Sequence, residues 1–471
     1  MKVSRVLNMK FSLIAILIIM GFQVYRMTTQ DDAFVPRWQN RGFITDDVRE
    51  YYCYLPAVFI YHSPGFQFLD TLKGQLRYDL DCGKSPIGKR VGRFTIGMAG
   101  AYMPFFFTSH IIAYIAGAPM DGYSRPYQFG LFISGFVYSV FGFIFLALAL
   151  RRFFTDGITA FTLLCIGLGT NLFYYTTAEG AMSHAVLFTL CAAILYFTVL
   201  WHQNPKFKYL AGFSFVFGLA VLIRPTLILT SIIFLLFGVY SRETLSDKLK
   251  LLKTHWRQLI GVVIILFIIA LPQMIYWKQQ TGSYLFYSYA NEHFFFLNPH
   301  IWKGLFSYRK GWFLYTPMML LAMVGFVFMR RYAKALFVPV LIFLVLNVYV
   351  VLSWWCWWYG GSFGLRAFID SYAFLSVPLA SFWAATFKEG WIARISVLLI
   401  SGFFCFLNMF QSQQYRVGML HWDSMSKKLY WATFLKFEYI KDKDNMNDVP
   451  NYNAARQGLS ETTPVDTIKA H

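Results

Sequence analysis

Two adjacent carboxylates, Asp46 and Asp47, stand just after the first apolar run, in the stretch "ITDDVREYYCYLP". Tyr51 and Tyr52 follow them closely. An aspartate can act as a general base that takes a proton from a hydroxyl group as it attacks an electrophilic carbon. Two acids at a helix start can instead satisfy free N–H groups and complement the helix dipole. The residues alone leave both interpretations open, and a divalent cation held by Asp46 or Asp47 also stays open.

Two arginines in other parts of the chain are candidates for binding an anion. Arg366 follows the stretch "GGSFG", and its guanidinium can grip a phosphate with two hydrogen bonds or extend to the membrane interface. Arg224 lies at the end of an apolar run, where it is costly unless it is paired or faces water. The flexible backbone before Arg366 can direct N–H groups at an anion, and those groups would come from Gly361, Ser362 and Gly364.

Three further polar residues could support this chemistry. Glu179 and His184 flank the short turn "AEGAMSH", and Asp370 closes the stretch "SFGLRAFID". A histidine in an apolar run is more typical of a satisfied buried side chain than of a catalytic one. Cys53 and Cys82 share the first long polar stretch, where a disulfide would be compatible with an oxidising compartment.

The composition excludes an ordinary soluble domain. Of the 471 residues, 57% are hydrophobic and 14% are charged, whereas soluble domains contain about 25% charged residues. The apolar residues come in runs long enough to cross a hydrocarbon core of ~30 Å as helices. A membrane β-barrel would show short alternating segments instead. The sequence therefore predicts an all-α polytopic membrane protein.

The net charge of +19 arises mostly from lysines and arginines in short loops between the apolar runs. Such loops stay in the cytoplasm and attract anionic lipid head groups. Membrane lipids are therefore expected partners, and nucleic acid is not.

Orientation assigned from these loops predicts about eleven transmembrane helices, within a range of roughly ten to thirteen, and a cytoplasmic N-terminus. Residues 28–126 form a long first extracytoplasmic loop, in which 48–61 and 95–118 are predicted to lie in the interface plane. Pro104 is expected to interrupt the second of these helices. Residues 1–440 form one membrane domain, and 441–471 a polar, loosely ordered tail. The later spans are predicted at about 127–150, 157–175, 184–201, two short spans within 209–240, 258–276, 312–329, 336–352, 371–387 and 393–410.

This topology sorts the unusual polar residues to one side of the membrane. All of the candidate acids, arginines and the histidine fall on the extracytoplasmic face or at the outer end of a span. The cytoplasmic face carries mainly basic loops. One site assembled from several loops is the economical interpretation.

The motifs that carry these residues resemble those of the GT-C integral-membrane glycosyltransferases. They occur in the order "DDVREYYCYLP", "GKRVGRFTIGMAGAYMPFF", "MSHAVLF", "GLAVLIRPT" and "WWYGGSFGLRAFID", and the resemblance covers residues 1 to about 430. The chain is most similar to bacterial members grouped with the protein O-mannosyltransferases and aminoarabinose transferases, of the family 39 type.

The resemblance implies a polyprenyl-phosphate-linked sugar donor, used without a nucleotide on the extracytoplasmic side of the bacterial inner membrane. The acceptor would be a lipid, a glycan or a protein. The family's catalytic acid falls on Asp47, with Asp46 beside it, and the basic residues near the donor phosphate fall on Arg224 and Arg366. Several relatives have Asp-Glu where this chain has Asp-Asp, and their second acid from a later loop is matched here by Glu179.

A transporter or flippase for a lipid-linked sugar is the alternative from another class. A transporter is expected to place polar residues near the bilayer midplane, on discontinuous helices in paired halves. This chain gathers them at one face, which favours the glycosyltransferase over the transporter. The resemblance implies that Asp47 is the base, and a single displacement would invert the configuration of the sugar. No phosphate-binding Walker A sequence is present, and no cofactor is required by the motifs apart from the divalent ion left open above.

Overall fold

The computed structural model describes residues 9–29, 42–70 and 83–464. Regular structure in these ranges is almost entirely helical, which confirms the predicted all-α polytopic membrane class. One two-stranded antiparallel hairpin, β1 (Gly83–Lys84) with β2 (Arg90–Val91), is the exception in the described ranges. Cys82 and the predicted loop residues 30–41 and 71–81 lie outside the described residues.

The α-helices are numbered here in chain order. They are α1 (Lys10–Thr28), α2 (Asp46–Tyr52), α3 (Tyr54–Phe59), α4 (Gly97–Ile115), α5 (Arg125–Leu150), α6 (Asp156–Gly169), α7 (Leu172–Thr177), α8 (Ser183–Gln203), α9 (Phe207–Ile223), α10 (Ser231–Leu235), α11 (Arg242–Thr254), α12 (Trp256–Thr281), α13 (Ile301–Phe306), α14 (Trp312–Tyr315), α15 (Met318–Tyr332), α16 (Lys334–Leu352), α17 (Tyr372–Thr386), α18 (Trp391–Arg416), α19 (Lys427–Thr433) and α20 (Tyr452–Arg456). Four 3₁₀ helices accompany them, at Gln67–Asp70, Pro225–Thr230, Arg366–Ser371 and Lys443–Met446.

Eight helical segments in the described ranges are long and apolar enough to cross a membrane, and three shorter apolar helices accompany them. The long segments are α1, α4, α5, α8, α12, α16, Arg366–Thr386 and α18, and the shorter ones are α6, α9 and Pro225–Leu235. The predicted span at 312–329 is instead divided between α14 and α15, because Pro317 has no N–H to continue the first helix.

Helices at the centre and at the edge of the bundle differ in what surrounds them. In α8 and in Arg366–Thr386, 89% of the 18-residue apolar stretch is buried inside the protein. The buried share of the corresponding stretch is 11% in α12 and 17% in α18. An apolar helix surface left exposed by the protein is suited to lipid. The two central segments carry candidate site residues at their first turns, so a rigid, buried scaffold holds them.

The chain reverses direction at Arg224-Pro225. His202, at the end of α8, packs beside Phe234, and the two ring centroids are 5.0 Å apart, whereas Arg224 lies near the start of α8. The segment after Pro225 therefore runs back along α8 as a short return helix. This geometry is the predicted hairpin rather than one kinked helix.

Helix α4 differs from the expectation at Pro104. It is continuous through Pro104, so the predicted interruption is wrong. Helix α4 packs antiparallel to the first half of α5. The Ala101 carbonyl accepts a hydrogen bond from the Tyr138 hydroxyl, and further along α4 the His110 ring is hydrogen-bonded to the Tyr127 hydroxyl. These contacts cover only the first half of α5, so α4 does not carry the chain to the opposite end of the bundle.

Residues 441–464 are more ordered than their polar composition suggests. They form a 3₁₀ turn and helix α20, whose Ala454 and Ala455 are buried. Arg309 pairs with Asp448 at 2.9 Å. These contacts dock residues 441–464 against the membrane domain.

Candidate active site

A cavity of about 430 Å³ opens at the end of the bundle where α8 begins and α9 ends. Its volume lies in the range of small-molecule binding sites. Five residues singled out in the sequence line it, namely Asp47, Tyr51, His184, Arg224 and Arg366. The wall also includes Arg93, Phe94, Met182, Ser183, Tyr287, Tyr289, Glu292, Phe294, Trp354, Trp355, Cys356, Tyr359, Gly360, Tyr452 and Arg456.

Asp47 reaches the cavity from the first turn of α2, while its neighbour does not. Asp46 is exposed, has a φ of 48° and is not part of the cavity wall. Thr45 occupies the N-cap position without a side-chain cap hydrogen bond. The two acids therefore differ in environment: Asp47 faces the cavity, and Asp46 faces outward.

The two tyrosines of α2 also differ in the direction of their side chains. Tyr51 follows Asp47 by four residues, which puts both side chains on one helix face toward the cavity. Burial, and then the nearby Asp47 carboxylate, raise the pKa of the Tyr51 phenol, so its hydroxyl stays protonated. Tyr52 points into the core, where its hydroxyl donates to the Gly122 carbonyl. Tyr52 therefore anchors α2 and does not line the cavity.

Two ion pairs connect the candidate arginines to acids. The Arg366 guanidinium donates to Oδ2 of Asp47 at 3.2 Å, and both side chains are partly exposed. Arg224 pairs with Asp370, whose other carboxylate oxygen, Oδ1, is buried without a hydrogen-bond partner among the described residues. Asp370 does not line the cavity, and its contact with the cavity wall is this ion pair with Arg224.

Backbone geometry explains why both arginines face the cavity. Arg224 is extended, with φ −140° and ψ 103°, because the following proline disfavours helical backbone in the residue before it. Arg366 opens the 3₁₀ helix that leads into α17, and Asp370 lies four residues later. Each arginine therefore sits where a membrane helix starts or ends, and its side chain can turn toward the polar end of the bundle.

The "GGSFG" loop does not present the predicted cluster of N–H groups. The Ser362 N–H donates to the Trp422 carbonyl, and the Phe363 N–H donates to the Tyr175 hydroxyl at 3.0 Å. Gly361 and Gly364 are also absent from the cavity wall, which Gly360 alone reaches from this loop. The loop contacts Arg366 through the Gly364 carbonyl, which accepts a hydrogen bond from the Arg366 N–H.

The two supporting residues His184 and Glu179 differ in whether they line the cavity. His184 is buried in the cavity wall, its ring centroid lies 4.6 Å from that of Tyr175, and its Nδ1 has no hydrogen-bond partner among the described residues. Glu179 accepts a hydrogen bond from the Tyr174 hydroxyl at 3.5 Å and does not line the cavity. Of these two, only His184 can reach a molecule bound there.

A third ion pair in the wall was not anticipated. Arg93 donates to both carboxylate oxygens of Glu292, at 2.8 and 2.7 Å. The Arg93 guanidinium lies 5.5 Å from the Tyr289 ring centroid, and burial raises the pKa of Tyr289 to about 12. Arg93 stands within the motif "GKRVGRFTIGMAGAYMPFF", but nothing in its local spacing indicates a partner 199 residues away.

The tryptophans of "WWCWW" form a packed cluster rather than an interfacial belt. Trp355, Trp357 and Trp358 are buried and pack around Ala455 of α20. This cluster seats α20 so that Tyr452 and Arg456, four residues apart on one helix face, line the cavity. The sequence offered one signal for α20, the N-cap Asn451, whose side chain accepts from the Ala454 N–H at 3.1 Å.

Metal binding has limited support in the described ranges. No group of three or more His, Cys, Asp or Glu side chains there is arranged to hold a metal ion. Asp47 is paired with a guanidinium, and Asp46 faces away from it.

Cys53, one of the two cysteines of the predicted disulfide, is buried, with its Sγ 3.3 Å from the Glu50 carbonyl oxygen. Its candidate partner Cys82 lies outside the described residues.

Residues 124–277 match the family model described as dolichyl-phosphate-mannose-protein mannosyltransferase. The matched range runs from the start of α5 into α12, and it includes His184 and Arg224 but not Asp47 or Arg366. The match supports a membrane glycosyltransferase of the GT-C type. The comparison with curated proteins finds no significant match.

Proposed function

We propose that this protein transfers a sugar from a polyprenyl-phosphate-linked donor to a hydroxyl group of a lipid, glycan or protein acceptor. The observation that carries the proposal is the convergence of the Asp47 carboxylate with the Arg224 and Arg366 guanidiniums on one cavity. A general base and cations for a phosphate leaving group are the two parts that such a transfer needs.

In the proposed step, the Asp47 carboxylate takes the proton of the acceptor hydroxyl. The acceptor oxygen bonds to the anomeric carbon while the bond from that carbon to the phosphate oxygen breaks. The electron pair stays with the departing polyprenyl phosphate, whose charge Arg224 and Arg366 stabilise. A single displacement inverts the configuration at the anomeric carbon.

The basic loops support an extracytoplasmic position for the cavity, as in the inner membrane of a bacterium. Lys248 of α11 contacts the Phe234 carbonyl and His202, at the end of α8 that is opposite to the cavity-lining His184. Lys334 lies over the Tyr240 ring at 3.8 Å, near the same end. Because basic loops remain in the cytoplasm, the cavity would face the other side.

The replacement Asp47→Asn tests the assignment of the base. Purified protein in lipid is incubated with a labelled polyprenyl-phosphate sugar and cell-envelope acceptors, and release of polyprenyl phosphate is measured. The variant is expected to lose at least about 100-fold in rate, the scale of a lost general base. Its unfolding temperature should fall only slightly, because the amide fills the same space and the ion pair with Arg366 that is lost is partly exposed.

Asp46→Asn is the matched control. It removes an adjacent, exposed acid, and asparagine tolerates the positive φ found there. Wild-type activity is expected in this control. Full activity in Asp47→Asn contradicts the assignment of the base, and movement of the intact donor across vesicles without cleavage contradicts glycosyl transfer itself.

A further inference from the structure

Four guanidiniums face the cavity, and three of them have acid partners. Arg93 pairs with Glu292, Arg224 with Asp370, and Arg366 with Asp47. Each of these pairs is close to neutral as a unit. Arg224 and Arg366 can still donate hydrogen bonds to a phosphate, but the net positive charge of the wall must come from a group outside these pairs.

Arg456 of α20 is that group. No carboxylate in the described part of the chain lies within ion-pair distance of it. Its guanidinium lies 5.0 Å from the centroid of the Trp355 ring. A guanidinium stacked on an aromatic face keeps its in-plane N–H groups available for hydrogen bonds.

The surroundings of α20 fix the helix that carries Arg456, while the arginine itself is exposed. The Tyr452 hydroxyl donates to Oδ2 of Asp423 at 2.8 Å, and Ala455 is buried among the tryptophans. Glu461 beyond the helix accepts from Lys303 at 2.9 and 3.0 Å. Arg456 is thus mounted on a docked helix, and a preorganised cation loses less entropy when it binds an anion.

We infer that Arg456 is a substrate-binding residue that holds a phosphate or similar oxyanion group of a substrate in the cavity. The C-terminal segment is then a part of the binding site. For the identity of the substrate, this inference rests on the proposed function. Under that function the bound oxyanion is either the phosphate of the lipid-linked donor or an anionic group of the acceptor. The donor phosphate is common to every turnover, whereas the acceptor charge depends on the acceptor.

The test uses the full chain in detergent micelles and farnesyl phosphate as a short, soluble isoprenyl phosphate probe. Arg456→Gln is expected to weaken its binding about tenfold or more, the loss typical of one charge-assisted hydrogen-bonding group. Arg456→Lys should restore part of the affinity. Farnesol, which lacks the phosphate, should bind wild type and Arg456→Gln alike.

Arg257→Gln is the matched control, because Arg257 also lies over a tryptophan ring, 5.7 Å from the Trp256 centroid, and does not line the cavity. It should leave farnesyl phosphate binding unchanged. If Arg456→Gln binds farnesyl phosphate normally but shows a raised KM for an anionic acceptor, the site belongs to the acceptor.

Unchanged probe binding together with unchanged KM for both substrates overturns the inference. Unchanged probe binding alone overturns a role at the donor phosphate and requires no turnover, so that result is read separately from a failure of the proposed transfer, which appears in Asp47→Asn. Equal weakening by Arg456→Gln and Arg257→Gln also overturns it, since a loss of that kind follows net charge rather than position.

Discussion

At the scale of single residues, the Arg224–Asp370 ion pair joins two helix ends that are 146 residues apart in sequence. The side chain of Asp370 is 5% exposed and that of Arg224 is 26% exposed, so the two partners are solvated unequally. Removing one partner of a buried pair leaves the other charge without compensation, which costs far more than removing both. The pair can therefore be tested without any assay of activity.

We expect Asp370→Asn to destabilise the protein by about 3 kcal/mol, within the range measured for broken buried pairs. The unfolding temperature in detergent measures the change. The double variant Arg224→Gln with Asp370→Asn should be clearly more stable than the sum of the two single effects predicts. Additive losses would mean that the two side chains do not interact in the folded protein.

A site residue could be predicted only where the sequence around it carries a recognisable pattern. The sequence indicates Arg224 because it is a costly polar residue at the end of an apolar run. It indicates Asp47 because this residue is one of two adjacent acids in a motif that resembles that of the GT-C glycosyltransferases. The Arg93–Glu292 pair is not predictable from the sequence, because an ion pair between distant segments has no local pattern. Arg456 was missed since its segment was judged by composition alone.

At the scale of helices, α15 and α17 approach each other at Gly325. A Cβ atom on Gly325 would lie 2.0 Å from the Pro378 carbonyl oxygen, far inside contact distance. Small residues permit such approaches between membrane helices. Because α17 continues the segment that begins with Arg366, this contact also helps to set the position of an arginine in the cavity wall.

Gly325→Ala is therefore expected to destabilise the protein by about 2 kcal/mol, as overpacking of a tight contact does. It should also reduce transfer activity by displacing Arg366. Gly402→Ala in α18 is the control, because nothing lies within 4 Å of its added Cβ. That change should be neutral or stabilising by up to about 1 kcal/mol, since alanine favours helix over glycine. Similar unfolding temperatures for the two variants would argue against the close contact.

The helices themselves were largely predictable, and their ends were less so. Length and hydropathy identify segments such as α5, α8 and α16, because a spanning helix must be continuous and apolar. Two prolines have effects opposite to those expected. The predicted continuous span at 312–329 is divided into α14 and α15 at Pro317, and α4 is continuous through Pro104. Proline is tolerated where neighbouring helices satisfy the freed backbone groups, and a single sequence does not show those neighbours.

At the scale of the whole molecule, the C-terminal segment connects the membrane helices to the cavity wall. Burial opposes ionisation of Glu461, but hydrogen bonds from Lys303 and the backbone together lower its pKa. A carboxyl group whose pKa is lowered by folding stabilises the folded form above its unfolded pKa of about 4.3. That contribution is lost as the pH falls through the folded pKa.

Glu461→Gln should therefore loosen the segment at neutral pH, in the way that acid loosens it in the wild type. Trypsin cleavage at Lys441 and Arg456, followed by mass spectrometry, is expected to be faster in this variant. Asp247→Asn is the control, because its ion pair with Lys250 is exposed and contributes little.

Loss of the Lys303 contact should have a consequence that reaches the cavity. If Arg456 binds substrate from a docked helix, farnesyl phosphate binding must weaken in Glu461→Gln although the replaced residue does not line the cavity. Faster trypsin cleavage with unchanged probe binding would separate docking of the segment from anion binding. Slow cleavage at both sites in the variant would show that the tryptophan cluster alone suffices to hold α20, because apolar burial there does not depend on the charge of Glu461.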